Sequence, residues 1–164
     1  MVIIAIIIGC LLIRIKYGHK AVPYIIEATG WLLVNKQTAF AYDLFKRSIA
    51  AIPDELSLRI LLAEAYADES RFLDAIDVIQ DFLKLHPQSQ QGRQELGILL
   101  HKAGRSQEAV ALLSSLPEKA FEKRTRLIYG YALMSVKKYK AAVRQFSKTL
   151  KAYPESDEAR EALT

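Results

Sequence analysis

The chain returns to the same pattern every 33 or 34 residues. An alanine followed four positions later by a bulky apolar residue recurs at Ala41/Phe45, Ala75/Ile79, Ala109/Leu113 and Ala142/Phe146, with successive alanines 34, 34 and 33 residues apart. A second series, Thr29/Leu32, Ala63/Tyr66, Gly97/Leu100 and Gly130/Leu133, runs ahead of the first with the same intervals. Pro53, Pro87 and Pro154 form a third, spaced 34 and 67, the latter two periods less one residue. Three series sharing one period mean that the chain is made of copies of one supersecondary unit. Such a unit cannot bury its apolar face alone and must stack on its neighbours.

Within each interval the apolar residues follow helical spacing. In the second unit Leu58, Leu61, Leu62, Ala65 and Tyr66 make one stripe, and Asp68-Glu69-Ser70-Arg71 makes a polar turn. Phe72, Ala75, Ile76, Ile79, Phe82 and Leu83 make a second stripe. Pro87 ends it, because proline lacks the amide proton and bars the residue before it from helix. The fourth unit repeats this from Leu127 to Met134, through a Lys137-Lys138 turn, and from Tyr139 to Leu150 ahead of Pro154. The small residues Ala63, Gly97 and Gly130 on first helices, and Ala41, Ala75, Ala109 and Ala142 on second helices, allow close approach. The third unit lacks a closing proline and Pro117 comes early. Its second helix is expected to be about a turn short, with Ser114 to Ala120 as an irregular link. Composition agrees with an all-α chain: 7 Gly and 5 Pro in 164 residues argue against a loop-rich or β-rich fold, and 51% hydrophobic with 25% charged residues argues against disorder. A single cysteine excludes a disulfide framework and a multi-cysteine zinc site.

The pattern resembles the tetratricopeptide repeat (TPR) family, whose signature is Trp-x2-Leu-Gly-x2-Tyr, then Ala-x3-Phe, then Pro. The best copies are Leu62-Ala63-x2-Tyr66 with Ala75-x3-Ile79 and Pro87, and Tyr129-Gly130-x2-Leu133 with Ala142-x3-Phe146 and Pro154. Thr29 stands where glycine or alanine is usual, and the sole tryptophan, Trp31, is not at the signature place. The resemblance implies an all-α, TPR-like helix-turn-helix solenoid, with about four units over residues 22–154 and a polar capping helix over 155–164. It also implies that the first helices line a concave groove for a peptide or helix of a protein partner. The groove residues would be Ile60, Glu64 and Asp68 in the second unit, Gln94, Ile98 and His101 in the third, and Leu127, Tyr131 and Met134 in the fourth. The clamp with which some family members hold the C-terminal carboxylate of chaperone tails is missing, since Ile60 and Glu64 stand where a cation and an amide are needed.

Residues 1–21 read as an N-terminal membrane anchor with a basic flank. Met1 to Ile13 carries no charge. As a helix, Val2 to Ile15 spans about 21 Å, short of the roughly 30 Å of a bilayer core. Arg14, Lys16 and Lys20 can snorkel toward headgroups, and the basic flank places the remainder on the cytoplasmic, or stromal, side. The alternatives are a cleaved or lipidated signal, for which Ile7-Ile8-Gly9-Cys10 is a partial match, and a core or interfacial helix.

No motif carries chemistry. There is no phosphate-binding glycine loop, His-x-x-x-His pair or Gly-x-Ser-x-Gly elbow. Asp54-Glu55 follows Pro53 at a helix start, where carboxylates complement the helix dipole. No enzyme activity, cofactor or metal is expected. The net charge of +5 is unevenly placed. Residues 54–81 hold two basic and eight acidic side chains, and residues 100–153 hold twelve basic and three acidic. Such a field steers partners. The basic stretch suits an anionic leaflet or an acidic partner, whereas nucleic acid, which asks for stacking aromatics among the cations, is not expected. The expectation is a single-pass, membrane-tethered scaffold that holds a protein partner, in the assembly of a membrane-associated complex. The rivals are an exported periplasmic or lipidated repeat protein of envelope or secretion machinery, and a nucleic-acid-binding repeat protein.

Overall fold

The computed structural model describes residues 18–164. Gly18–Ala21 forms a 3-10 turn that leads into α1, Val22–Val34. There follow α2 Thr38–Ala51, α3 Leu56–Asp68, α4 Phe72–Leu85, α5 Gln90–Lys102, α6 Ser106–Ser114, α7 Lys123–Ser135, α8 Tyr139–Ala152 and α9 Asp157–Glu161. A second 3-10 turn, Glu118–Ala120, separates α6 from α7. The fold is an all-helical, TPR-like solenoid of helix pairs. The chain divides into two compact units, residues 1–65 and 66–164, with the boundary inside α3.

The small-and-bulky rhythm is the rhythm of burial. Ala41, Ala75, Ala109 and Ala142 are enclosed, and so are Phe45, Ile79, Leu113 and Phe146 four residues on. Thr29, Ala63, Gly97 and Gly130 are equally buried, together with Leu32, Tyr66, Leu100 and Leu133. The two glycines mark the closest approaches in the second unit. A Cβ on Gly130 would stand 2.5 Å from Cε1 of Phe146, and one on Gly97 would stand 2.7 Å from Cγ of Leu113. Thr29 serves in place of a smaller residue because its Oγ1 donates to the Ile25 carbonyl at 2.8 Å, which leaves its polar atom satisfied inside the first unit.

The turn inside each pair has one backbone design. Lys36, Ser70, Gly104 and Lys137, spaced 34, 34 and 33 residues apart, have φ of 57°, 61°, 78° and 60°. The amide of the residue after each reaches back across five positions: Gln37 to Leu32, Arg71 to Tyr66, Arg105 to Leu100 and Lys138 to Leu133, all at 2.8–2.9 Å. A second bond, from the left-handed residue to the carbonyl three before it, completes the Schellman arrangement in all four. The helix thus stops and reverses through main-chain bonds, joined in the first pair by Asn35 Nδ2, which donates to the Trp31 carbonyl at 2.8 Å.

The third pair departs where expected. α6 has nine residues against fourteen in α4 and α8. At the N-terminal end of α3, Glu55 Oε1 accepts from the Ser57 hydroxyl at 2.7 Å and from its amide at 3.3 Å. Within residues 155–164 a five-residue helix, α9, forms over Asp157–Glu161, with Ala159 and Ser156 buried.

Two expectations at the N-terminus need restating. The apolar stretch of the anchor falls in residues 1–17, outside the described residues. Among the described residues no helix is long and apolar enough to cross a membrane. The longest, α2, α4 and α8 with fourteen residues each, span about 21 Å at about 1.5 Å per residue, against about 30 Å of hydrocarbon. This finding overturns the single-pass membrane placement, and with it the cytoplasmic or stromal orientation that was drawn from the basic flank.

Candidate functional site

The site is built by the link that replaces the missing part of α6. Leu116 and Phe121, at the two ends of the link, are buried with Leu113 and pack against Tyr129. The rings of Phe121 and Tyr129 meet edge to face at 5.7 Å, and burial pushes the Tyr129 phenol above its ordinary pKa, aided by the nearby Glu118 carboxylate. Between these plugs the link is pinned by polar bonds. Lys148 Nζ donates to both carboxylate oxygens of Glu118 at 2.6 Å, and Arg126 donates to the Glu118 carbonyl at 3.2 Å. Gln94 Nε2 donates to the Ala120 carbonyl at 3.1 Å. The bond from Lys148 holds the Glu118 carboxyl below its usual range.

Two hollows border α7, the smaller of them also bordering α5. The larger, of about 660 Å³, is lined by Leu127, Ile128, Tyr131 and Tyr153, with Glu122, Lys123, Arg124 and Glu158 around them. The smaller, of about 310 Å³, is polar and is bordered by Gln90, Gln91, Gln94, Glu95, Ala120, Glu122 and Thr125. Glu122 borders both, so they adjoin. Tyr131 is fixed at two points: its ring lies 5.1 Å from that of Phe146, and its hydroxyl donates to the Glu158 carbonyl at 3.3 Å. Charges of both signs ring the apolar floor. Lys123 stands 3.9 Å from Glu158, and Arg124 stands 3.7 Å from Glu95. The Glu158 carboxyl is held below its usual range by its own backbone amide, then by the Ser156 hydroxyl and Lys123.

The expected groove residues divide into three groups. Gln94, Leu127 and Tyr131 border the hollows. Ile98, at 1% exposure, is enclosed in the core and presents nothing to a ligand. Asp68 and Met134 are exposed but line neither hollow, and His101 is half-buried with Nδ1 3.1 Å from the Ser106 hydroxyl. Burial keeps the His101 imidazole below its ordinary pKa. Ile60 and Glu64 belong to the first unit, both half-buried on α3. Ile128, Tyr153 and Glu158 were not anticipated. Ile128 lies on α7, Tyr153 closes the end of α8 and Glu158 lies on α9. Among the described residues no group of three or more His, Cys, Asp or Glu stands ready to hold a metal ion.

Comparison with known proteins places this geometry in a context. A family model described as tetratricopeptide repeat matches residues 60–122. Among solved structures, a fragment of MamA from Desulfovibrio magneticus RS-1 superposes with a TM-score of 0.71 at 17% identity, over 85% of this chain and 79% of that one. A thermophilic TPR protein from Thermus thermophilus gives 0.68 at 18% identity, over 85% and 78%. YrrB, described as a TPR protein with an unusual peptide-binding site, gives 0.66 at 17% identity, over 85% and 72%. No curated protein sequence matches the chain. At such identities the likeness is one of fold. The tetratricopeptide repeat model thus matches residues 60–122, and helix pairs of the same design stand on both sides of them.

Proposed function

We propose that the protein is an interaction scaffold that holds a partner polypeptide by inserting a bulky apolar side chain of that partner into the 660 Å³ hollow beside α7. The hollow itself carries this reading. It has an apolar floor of Leu127, Ile128, Tyr131 and Tyr153, with Glu122, Lys123, Arg124 and Glu158 at its rim. Apolar walls with a few placed polar groups are what side-chain recognition requires. The adjoining polar hollow offers Gln90, Gln91 and Glu95 to the backbone of an extended ligand. YrrB, similar in fold, is named for a peptide-binding site, which agrees with this use of the architecture. The scaffold brings polypeptides together during the assembly of a complex and performs no chemistry of its own.

Panning a random peptide display library on the purified chain tests the proposal. The expected outcome is enrichment of sequences with one bulky apolar residue flanked by charges. Ile128→Glu, which puts a carboxylate at the floor, should weaken those peptides by at least tenfold, about 1.4 kcal/mol, while the melting temperature stays close to that of the parent. Peptides that bind the variant as well as the parent would show that the hollow is not the site.

A further inference from the structure

A separate surface, sharing no residue with the hollow's lining, points to self-association. α4 and α8 are the second helices of their pairs, and Asp77 and Asp81 stand two and six residues after Ala75 as Arg144 and Lys148 stand after Ala142. The same repeat positions, all solvent-exposed, therefore carry negative charge on α4 and positive charge on α8. α4 holds Asp74, Asp77 and Asp81 against one cation, Lys84. α8 holds Lys140, Arg144, Lys148 and Lys151 with no carboxylate, and indeed no acidic residue occurs between Glu122 and Glu155. Local pairing reduces the contrast without removing it. Asp74 is bridged by Arg71, Asp81 by Lys84 and Lys148 by Glu118. Among the described residues Lys140, Arg144 and Lys151 have no ion pair. Bulky apolar side chains stand exposed beside the charges on both helices: Leu73 and Leu85 on α4, Tyr139 and Val143 on α8.

A two-fold contact is isologous, so a molecule that carries both an acidic and a basic helix face satisfies both at once. We propose that two copies of this chain pair through their second helices, the acidic α4 face of each against the basic α8 face of the other. Leu73, Tyr139 and Val143 then leave water within the contact, and the charges set register and encounter rate. In the same way a foreign polyanion could meet α8 alone, but it would leave the matching α4 face without a role.

Sedimentation velocity on the full chain tests this, because the pairing is electrostatic and the screening length falls from about 30 Å at 0.01 M salt to about 3 Å at 1 M. The mass should approach twice 18.5 kDa at low salt and return to 18.5 kDa at high salt. Lys140→Glu with Arg144→Glu, and separately Asp77→Lys with Asp81→Lys, should each leave a monomer at low salt. All four positions are exposed, so circular dichroism should show both variants folded. Mixed in equal amounts, the two variants should pair again, since every contact between them regains opposite charges. A wild type that is monomeric at both salts, association that ignores salt, or a mixture that stays monomeric would overturn the proposal. So would a wild-type monomer that instead captures polyglutamate, RNA or anionic vesicles.

Discussion

The third and fourth helix pairs solve the same packing problem with different amounts of helix. Each sets a glycine of its first helix against a bulky side chain of its second, Gly97 on Leu113 and Gly130 on Phe146. In the fourth pair the second helix continues for fourteen residues and its own side chains fill the core. In the third it stops after nine, and Leu116 and Phe121 from the link occupy the space instead. A regular repeat leaves a continuous wall of side chains. The shortened one routes its backbone past α5 and α7, and both hollows have a residue of that region, Glu122, in their lining. The irregularity thus adjoins both hollows, the larger of which is the proposed binding site, while regularity provides the frame.

The comparison is most open to attack at the plug. Phe121→Ala should cost about 3 kcal/mol, in the usual range for a buried aromatic, measured by urea unfolding. A loss below about 1 kcal/mol would mean that the link is not a substitute for helix. Next comes the glycine contact. Gly130→Leu should destabilise by about 2 kcal/mol or more through overpacking, because the ring of Phe146 is enclosed and has nowhere to go. Gly97→Ala should cost less than Gly130→Ala, since a leucine end yields more readily than a ring; equal losses would break the distinction. A smaller effect separates the turns. Gly104 and Lys137 hold the same left-handed place in the two pairs. Lys137→Gly should stabilise and Gly104→Lys should destabilise, each by about 1 kcal/mol, and the same sign for both would contradict the shared turn. The smallest effect is electrostatic. His101 is half-buried in the third pair, while the matching place in the fourth holds the uncharged Met134. Burial lowers the folded-state pKa of His101 below its ordinary 6.5, so the unfolded chain takes the proton first as pH falls. Stability should be fully present above about pH 6.5 and decline below it, and His101→Gln should flatten that decline in pH-dependent melting curves.

Much of the frame was legible in the sequence because burial and period are one signal. Ala41, Ala75, Ala109 and Ala142 are buried where the spacing demands it, and the short α6 follows from the early Pro117. Thr29, which departs from the family pattern, is buried all the same through its bond to Ile25. Less of the site could be read. Position within the repeat places Ile98 on a first helix, but Leu96, Leu99 and Leu100 around it are also buried, and that whole stretch of α5 is core. Spacing along one helix does not report what covers it. Ile128 on α7 and Tyr153 at the end of α8 line one hollow, and spacing along either helix does not report that they share it. The left-handed turns were hidden for another reason: lysine and serine occupy places where glycine would have signalled them.

Those turns carry one more implication. Since reversal at Lys36, Ser70, Gly104 and Lys137 depends on amides and carbonyls, the side chain at the bend is free of structural duty. The corner of each pair can therefore be recoded, from cation to hydroxyl to bare hydrogen, without redrawing the path of the chain. A molecule with such corners can change what it displays to its surroundings one bend at a time while its architecture stays put.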